Sequence, residues 1–465
     1  MYADDTIAAI ATPAGPGGVG IVRASGPHCA PIAASVFLRR HRNGADGRHP
    51  DEWVSHHLYY GDVVDAAGSA LDTGLAVLMR GPQSYTGEDV LELHCHGSPV
   101  ALRRVLSRVL SCGARPAEKG EFTKRAFLNG RIDLAQAEAV IDMVRSRTDA
   151  GAAVAAQQLS GRLSRHLADL RSRLIHLKAL LEAQIDFSEE DFQVDRSQLL
   201  TTLDDCKVAV DRLLDTYRHG KLLRDGVRVA IIGKPNVGKS SLLNALLGEE
   251  RAIVTPVAGT TRDWIDETAD FDGLPVVLSD TAGLRSPDQA EFVERLGMQR
   301  TAAKVTEADL VLAVIDASQG VDSDDQSVLD AARGMPQIVV LNKIDLDSKI
   351  SLEPLTFANG YAVARVSAKE RIGLDDLRRA VVAELTGGAT FGGDLPVLTS
   401  LRHHETLTKG AESLHLAGRS LIEGRPADLV AVDVQDAIDH IGAVTGAVTT
   451  EDVLDRVFAE FCIGK

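Results

Sequence analysis

The sequence predicts a multidomain α+β and α/β protein, in which an α+β region comes first and a doubly wound α/β domain is inserted into a helical bundle. Short β-like runs alternate with turns in residues 1–127. Leucines then recur at helical spacing, and residues 226–388 alternate apolar runs with helical segments. A chain of 465 residues, 45% of them hydrophobic, can build about two to four domains.

Residues 1–127 are predicted to form the α+β domain. The stretches "GGVGIVRASG" and "LAVLMRGP" are apolar runs bounded by glycine or proline, which is typical of strands. In "DVLELHCHG" polar and apolar residues alternate, so one strand face carries Glu92, His94 and His96. The other face is expected to be buried and carries Leu91, Leu93 and Cys95.

The helical domain is expected to combine residues 128–225 with residues 389–465. Six leucines at steps of four and three predict a long bundle helix: Leu163, Leu167, Leu170, Leu174, Leu177 and Leu181. A second helix carries the stripe Leu199, Leu203, Cys206, Val210, Leu214 and Tyr217. Thr449 and Asp452 together form a helix-start signal for the last helix. This helix is expected to bury Val453, Val457 and Phe461.

Residues 226–388 are predicted to form the inserted domain, because "VRVAIIG", "PVVLSD", "DLVLAVID" and "QIVVLN" are apolar throughout, as in parallel strands covered on both faces. The stretch "GKPNVGKS" follows the first of these strands and opens a helix. It fits the phosphate-binding loop G-x-x-x-x-G-K-[ST]. Lys239 is therefore predicted to reach the β- and γ-phosphates and Ser240 to bind Mg²⁺.

Further motifs follow in the order expected of a GTP-binding domain. Asp280 in "DTAG" can hold Mg²⁺ through water, and the Gly283 N–H can meet the γ-phosphate. Asp345 in "NKID" can accept two N–H groups of guanine, which adenine does not offer. "SAK" (367–369) would back the base, and "GTTRD" (259–263) would close over the γ-phosphate. The ordered set predicts a Ras-like P-loop GTPase.

The residue after "DTAG" is Leu284, where Ras-like enzymes place the glutamine that orients the attacking water. Leucine cannot orient water, so another group must do so. Glu294 in "EFVERLG" is a candidate for this catalytic role, although an exposed helix carboxylate is the better interpretation of its position alone.

The cysteine content and the two ends of the sequence indicate in which cellular compartment the protein is located. Five scattered cysteines without a C-x-x-C pair fit a reducing cytoplasm, and we expect a cytoplasmic protein without signal peptide or membrane span. The ending "FCIGK" has a cysteine at the position used in prenylated proteins, but Gly464 and Lys465 occupy the third and fourth places. We therefore expect no lipid anchor, which disfavours a membrane-anchored signalling GTPase.

Several long stretches, together with "AGTTRD", Leu284 and "FCIGK", resemble one known protein family over essentially the full length of the chain. They are "DTIAAIATPAGPGGVGIVRASG", "SYTGEDVLELHCHG", "GEFTKRAFLNGRIDLAQAEAV" and "LLNALLGEERAIVTPVAGTTRD". On these motifs the chain resembles the MnmE (TrmE) family of tRNA-modification GTPases.

The resemblance implies a homodimer with an amino-terminal folate-binding domain, a helical-bundle domain and an inserted Ras-like P-loop GTPase domain. In a heterotetramer with the flavoprotein MnmG, such proteins add a carboxymethylaminomethyl-type group to C5 of the wobble uridine of certain tRNAs. They use a one-carbon unit from a tetrahydrofolate derivative. Their G domains hydrolyse GTP by dimerising in the presence of Mg²⁺ and K⁺.

The resemblance also implies residue roles. Asn236 matches a K⁺ ligand, and the carbonyls of the loop that includes Thr255, Val257 and Thr260 complete that site. Thr261 matches the second Mg²⁺ ligand, and Glu294 matches the water-orienting glutamate. The predicted nucleotide contacts are Asn236, Val237, Gly238, Lys239, Ser240, Ser241, Thr255, Thr260, Thr261, Asp280, Thr281, Ala282, Gly283, Asn342, Lys343, Asp345, Ser367, Ala368 and Lys369.

For the folate, Arg23, Glu92 and Lys465 match family contacts, and Arg131 stands where lysine is usual, which keeps the charge but not the ammonium geometry. Cys462 could act as a nucleophile beside the one-carbon donor, but a structural tail is the favoured interpretation.

Two features leave alternatives open. Arg103, Arg104 and Arg108, and the arginines of residues 145–173, could contact tRNA phosphates or form a solvated helix face. The net charge of −16 disfavours a broad nucleic-acid-coating surface but allows a local basic site. A ribosome-assembly GTPase shares the P-loop and "TTRD" but should carry an RNA-binding module such as a KH fold, and no such segment follows Gly388.

Overall fold

The structure is a computed structural model that describes residues 5–41, 44–45, 52–186, 195–248, 267–280, 306–347, 349–350, 361–388 and 395–465. It contains two compact units. The first comprises Met1–Ile141, Gln158–Ile175 and Ile438–Lys465, and the second comprises Asp142–Gln157 and His176–Ala437. None of the described helices has both the length and the apolar character needed to cross a bilayer.

An eight-stranded sheet dominates the first unit, with the spatial order β4-β3-β5-β6-β7-β2-β1-β8. Its strands are β1 (Thr6–Ile10), β2 (Gly17–Ser25), β3 (Phe37–His41), β4 (Gly44–Ala45), β5 (Leu58–Val64), β6 (Ala70–Met79), β7 (Val90–Gly97) and β8 (Ala114–Pro116). Neighbours are antiparallel except β1 and β8, which are parallel. The helices of this region are α1 (Cys29–Val36), α2 (Pro99–Ser111) and α3 (Glu121–Leu128).

The alternating pattern of β7 determines which side chains reach the core. Leu91, Leu93 and Cys95 are buried together with Leu102 and Val105 of α2, as the alternation predicts. The polar residues between them therefore point to the other face of the sheet.

Five helices of the described chain follow: α4 (Leu134–Arg145), α5 (Asp149–Leu159), α6 (Arg162–Asp186), α7 (Arg196–Asp215) and α8 (Tyr217–Asp225). All six leucines of the predicted long helix are buried in α6, which confirms it. In α7 the last buried residue is Leu213, so the prediction of Leu214 was wrong. Steps of four and three lead from Cys206 through Val210 to Leu213, whereas a second successive step of four, to Leu214, leaves the buried face. Tyr217 belongs to α8.

A six-stranded sheet with the order β10-β11-β9-β12-β13-β14 forms the α/β part of the second unit. Its elements are β9 (Val227–Ile232), α9 (Lys239–Leu247), β10 (Glu267–Phe271), β11 (Leu274–Asp280), β12 (Leu310–Asp316), α10 (Ser323–Ala331), β13 (Gln337–Asn342), β14 (Ala362–Arg365) and α11 (Leu374–Thr386). Only β10 is antiparallel to its neighbour. Every residue of β12 and β13 is buried, as expected for strands covered on both faces.

The described chain ends with α12 (Leu401–Ile422), α13 (Ala427–Thr445) and α14 (Glu451–Ala459). Helix α12 packs along α7. In α14 the buried residues are Leu454 and Phe458, which pack with Phe461 against Leu134, so the prediction of Val453 and Val457 as its buried stripe was wrong. Both valines are only half-buried at the edge of this cluster. The predicted fold class, which combines α+β, helical and α/β parts, is confirmed.

Candidate functional site

The predicted nucleotide motifs meet at one edge of the second unit's sheet. Strands β9, β11, β12 and β13 are parallel, so their carboxyl ends lie at the same edge. The phosphate-binding loop follows β9, Asp280 ends β11 and Asn342 ends β13. In the sheet, β9 lies between β11 on one side and β12 on the other, so the direction in which strands are added changes at β9. Ligands of open α/β sheets bind at such a switch point.

The loop between β9 and α9 has the backbone that phosphate binding requires. Gly233, Asn236 and Gly238 have positive φ angles of 154°, 64° and 96°. A Cβ at Gly238 would lie 2.3 Å from Nδ2 of Asn342, so this close approach requires glycine. Lys239 Nζ donates to the carbonyl oxygens of Gly233 (2.9 Å) and Lys234 (2.7 Å), which holds the ammonium over the loop.

The first turn of α9 presents the predicted phosphate and metal ligands. Ser240 and Ser241 are both exposed there. The unpaired N–H groups of a helix N-terminus favour anions, so this turn suits phosphates with a cation bound at Ser240.

Asn342 joins three loops of the site. Its Nδ2 donates to the carbonyl oxygen of Val237 (2.9 Å) in the phosphate-binding loop. Its Oδ1 accepts from the backbone N–H of Ala368 (3.0 Å). Because Asn342 is buried, both bonds are shielded from water and fix the phosphate-binding loop relative to the base-binding loops.

Two lysines at the same loop form ion pairs with carboxylates that the motifs do not include. Lys343 Nζ donates to the carbonyl oxygen of Asn236 (2.8 Å) and to Asp316 (2.7 Å). Lys234 Nζ lies 2.7 Å from Asp322 and 2.8 Å from Asp325. Sequence reasoning missed these three carboxylates. Asp316 carried a signal, since it ends a strand just as Asp280 and Asn342 do.

Asp345 is oriented by Ser367, as a base-reading carboxylate requires. The hydroxyl of the buried Ser367 donates to Asp345 Oδ1 at 2.6 Å, and Ser367 Oγ accepts from the N–H of Glu370 at 3.1 Å. The hydrogen bond from Ser367 lowers the pKa of Asp345, so the carboxylate is ionised at neutral pH. An ionised, oriented carboxylate can accept the two N–H groups of guanine. Lys369, also a predicted contact, is exposed beside Glu370.

Several predicted residues lie outside the described part of the chain. They are Thr255, Val257, Thr260, Thr261, Thr281, Ala282, Gly283, Leu284 and Glu294. Their proposed roles remain predictions.

The second group of predicted residues lies in the first unit. Arg23 on β2 and Glu92 on β7 are cross-strand partners, with Arg23 Nε 2.8 Å from Glu92 Oε1. Nε2 of His94 lies 3.1 Å from the other carboxylate oxygen. Burial alone would raise the pKa of Glu92, but the hydrogen bond with His94 and the charge of Arg23 lower it. Sequence reasoning missed this role of His94, although its place two residues after Glu92 on one strand face was visible.

The tail approaches this pair. Arg23 Nη1 donates to the carbonyl oxygen of Gly464 at 3.4 Å, and Ile463 forms an antiparallel bridge with Lys119. Gly464 has φ 97°, and a Cβ on it would lie 2.3 Å from the carbonyl oxygen of Ile10, so only glycine fits. Lys465 is half-buried, and the thiol of Cys462 is exposed.

Aromatic rings and a buried ion cluster frame the Arg23–Glu92 pair. The Arg23 guanidinium lies 5.7 Å from the centre of the Tyr85 ring and 5.8 Å from that of Phe122. Arg131, the fourth predicted folate contact, is exposed after α3 and lies beside Gly87.

The ion cluster is centred on Arg125, which is 1% exposed. Its guanidinium lies 2.6 Å from Asp5, 3.0 Å from Glu88 and 3.1 Å from Glu121. Arg115 binds Glu121 through both terminal nitrogens. Phe122 follows Glu121 directly in α3, so the ion cluster fixes the position of its ring. The hydroxyl of Tyr85 lies 2.9 Å from that of Thr123 in the same helix, which fixes the second ring.

A phosphate-binding loop at the switch point and an ionised carboxylate placed to read guanine define a P-loop GTPase. Comparison with known proteins specifies the family. Residues 6–131 match the family model of the GTP-binding protein TrmE N-terminus, and residues 134–462 match that of the MnmE helical domain. The chain therefore belongs to the MnmE (TrmE) family.

Two relatives of known name agree with this assignment. The tRNA modification GTPase MnmE of Geobacter metallireducens is 46% identical over 468 residues, which cover 100% of both chains. The protein of the same name from Moorella thermoacetica is 46% identical over 99% of this chain and all of its own. The crystal structure of the G domain of the T. maritima FeoB iron transporter is 28% identical, with a TM-score of 0.27 over 34% of this chain and 98% of that one.

Proposed function

We propose that this protein is a GTP-hydrolysing tRNA modification enzyme. With a flavoprotein partner it adds a carboxymethylaminomethyl-type group to C5 of the wobble uridine, using a folate one-carbon donor. The observation that carries the proposal is the contact of Arg23 with Gly464. This contact places the family's ending "FCIGK" at a polar site of the first unit. The same chain also forms the guanine-nucleotide loops.

The nucleotide side of the proposal is supported by the residues around Asn342. Asp345 selects guanine, and Lys239 and the loop amides bind the phosphates. Ser240 and Thr261 bind Mg²⁺, which Asp280 holds through water. Mg²⁺ would neutralise phosphate charge. Asn236 is exposed in the loop, where its amide oxygen can serve as a K⁺ ligand with the carbonyls of 255–260. Glu294 is proposed to orient the attacking water, since Leu284 cannot.

The folate side is supported by the donor and acceptor set of the first unit. A folate ring system has an N–H edge that suits an ionised carboxylate and flat faces that suit aromatic walls. Glu92 supplies the carboxylate, and the half-buried Tyr85 supplies such a wall beside Arg23. Arg131 and Lys465 would bind the anionic end. When bound, the folate supplies the one-carbon unit.

The organisation is proposed from family membership. The divisions are 1–127 for folate binding and homodimerisation, 128–225 with 389–465 for the helical domain, and 226–388 for the G domain. We propose a heterotetramer with the flavoprotein MnmG that acts on tRNA in the cytoplasm. A ribosome-assembly role is not favoured, because described residues 395–465 form three helices and a tail rather than a KH fold.

Mass spectrometry of wobble uridines tests the proposal. In cells that lack the protein, tRNAs that normally carry the carboxymethylaminomethyl-type group should carry unmodified uridine. Expression of the wild-type chain should restore the group. Normal modification in the deleted strain would contradict the proposed function.

A further inference from the structure

We propose that the outer face of α2 binds the phosphate backbone of tRNA. The proposal rests on tRNA being the substrate, as argued above, and it names a surface of this chain that the RNA contacts. The surface, called the α2 arginine face below, comprises Val100, Arg103, Arg104, Ser107 and Arg108.

The α2 arginine face lies opposite the buried side of its helix. Leu102, Val105 and Val109 are buried against the sheet. The five residues of the face recur at steps of three, one, three and one, so they form a single stripe. Together with Leu71 and Asp65 they line one open groove of about 390 Å³.

The positive charges of this face are not neutralised within the described chain. Arg103, Arg104 and Arg108 form no ion pair with any described residue, and α2 itself contains no acidic residue. Asp65 is the single carboxylate of the groove lining, and its Oδ1 already accepts the N–H groups of Ala67 and Ser69 at 2.9 Å. A solvated helix face usually mixes both signs, so this concentration of one sign needs another explanation.

Two other exposed arginines of the described chain, in contrast, have carboxylate partners. Arg379 lies 2.5 Å from Asp376, and Arg425 lies 2.8 Å from Glu423. The whole chain carries a net charge of −16, which repels a polyanion from most of its surface. The α2 arginine face therefore offers RNA a local attraction that also sets its orientation.

The geometry of the face suits a nucleic-acid backbone. Arg108 is held in place by Nη2 donating to the Ser35 carbonyl oxygen at 3.0 Å, while Arg103 and Arg104 are exposed. Guanidinium groups bind phosphates in a bidentate manner. Val100 and Leu71 give the groove apolar walls against which ribose can pack.

Binding of an unmodified tRNA transcript at increasing NaCl, without GTP, tests the inference. The double variant Arg103→Gln/Arg104→Gln should bind more weakly, and the slope of log K against log [NaCl] should become shallower by about 2. Arg103→Lys/Arg104→Lys should restore most of the slope, because phosphate contact depends mainly on charge. The matched control is Arg333→Gln/Arg379→Gln, which removes two exposed charges elsewhere and should leave the slope unchanged.

The outcomes separate this inference from the proposed function. If wild-type protein modifies and binds tRNA but the double variant keeps the full slope, the α2 arginine face is not an RNA surface. If the wild type does not modify tRNA at all, the proposed function fails first. Loss of binding to anionic phospholipid vesicles with an unchanged tRNA slope would assign the face to lipid and overturn the inference.

Discussion

Arg23 and Glu92 stand directly opposite each other on two antiparallel strands, and their side chains form an ion pair of 2.8 Å. His94 occupies the second oxygen of the same carboxylate. The carboxylate is therefore fixed in direction before any ligand arrives, which lowers the entropy cost of binding.

Glu92→Gln should weaken the binding of a reduced folate by about 10- to 100-fold, because a hydrogen bond to a charged group contributes roughly 1.5–3 kcal/mol. Isothermal titration with tetrahydrofolate measures the affinity. Asp62→Asn is the matched control, since Asp62 is also paired with an arginine of the same sheet, Arg40. Unchanged folate affinity in Glu92→Gln would remove Glu92 from the site.

Glu121→Gln should destabilise the protein by about 3 kcal/mol, because it removes a carboxylate partner of the buried Arg125. Chemical denaturation measures the free energy of unfolding. Arg40→Gln, which breaks an exposed pair, should leave that free energy essentially unchanged. Equal effects of the two substitutions would contradict the structural role of the cluster.

The same variant should alter the acid dependence of stability. Although burial opposes it, hydrogen bonds from Arg115 lower the pKa of Glu121 below its ordinary value of 4.5. A carboxylate with a lowered folded-state pKa stabilises the fold above its unfolded value and loses that contribution as pH falls through the folded one. The wild type should therefore lose more stability than Glu121→Gln when the pH falls below about 4.5.

Asp345→Asn should shift nucleotide preference from GTP toward XTP. Xanthine carries a carbonyl where guanine carries an amino group, so the asparagine amide can donate to it. Competition binding with both nucleotides measures the preference. Ser367→Ala should weaken GTP binding without this shift, since it removes only the hydroxyl that orients Asp345. An Asp345→Asn variant that still favours GTP would contradict base reading by Asp345.

GTP hydrolysis should be faster in KCl than in NaCl at equal ionic strength, because Asn236 and the loop 255–260 match a K⁺ site. Asn236→Ala should abolish the difference between the two salts. Steady-state phosphate release measures both rates. Equal wild-type rates in the two salts would reject the K⁺ assignment.

Gly464→Ala should reduce tRNA modification and folate binding while GTP hydrolysis continues, since its Cβ would collide with the Ile10 carbonyl oxygen and displace the tail. Gly68→Ala is the control, because Gly68 also has a positive φ but has no atom within 4 Å of the added Cβ. Wobble-uridine mass spectrometry and phosphate release measure the two activities.

Two companion variants separate the roles within the tail. Deletion of Cys462–Lys465 should abolish modification and leave GTP hydrolysis close to normal. Cys462→Ser should lose modification only if the exposed thiol acts in the chemistry. Full modification by the serine variant would leave a structural tail, and modification by the deleted chain would reject any role of the tail.

Local patterns predicted much of the fold. The alternation in β7 gave its buried face, the leucine spacing gave α6, and the motifs gave the loops that Asn342 joins, because each depends on residues close in sequence. The Arg125 cluster was not predictable in this way, since Asp5 and Arg125 are separated by 120 residues. The buried stripe of α14 was missed for a related reason. Its orientation follows from packing against Leu134, which is far away in the chain.

The bond between Arg23 and Gly464 spans 441 residues of chain. At translation rates of about 5–20 residues per second, β2 leaves the ribosome some 20 to 90 s before the tail is made. During that interval the strand pair bearing Arg23 and Glu92 can fold, but the segment that completes its surroundings does not yet exist. With the folate site proposed above, nascent chains on a polysome would lack the tail that completes it, and cofactor loading would follow the completion of synthesis.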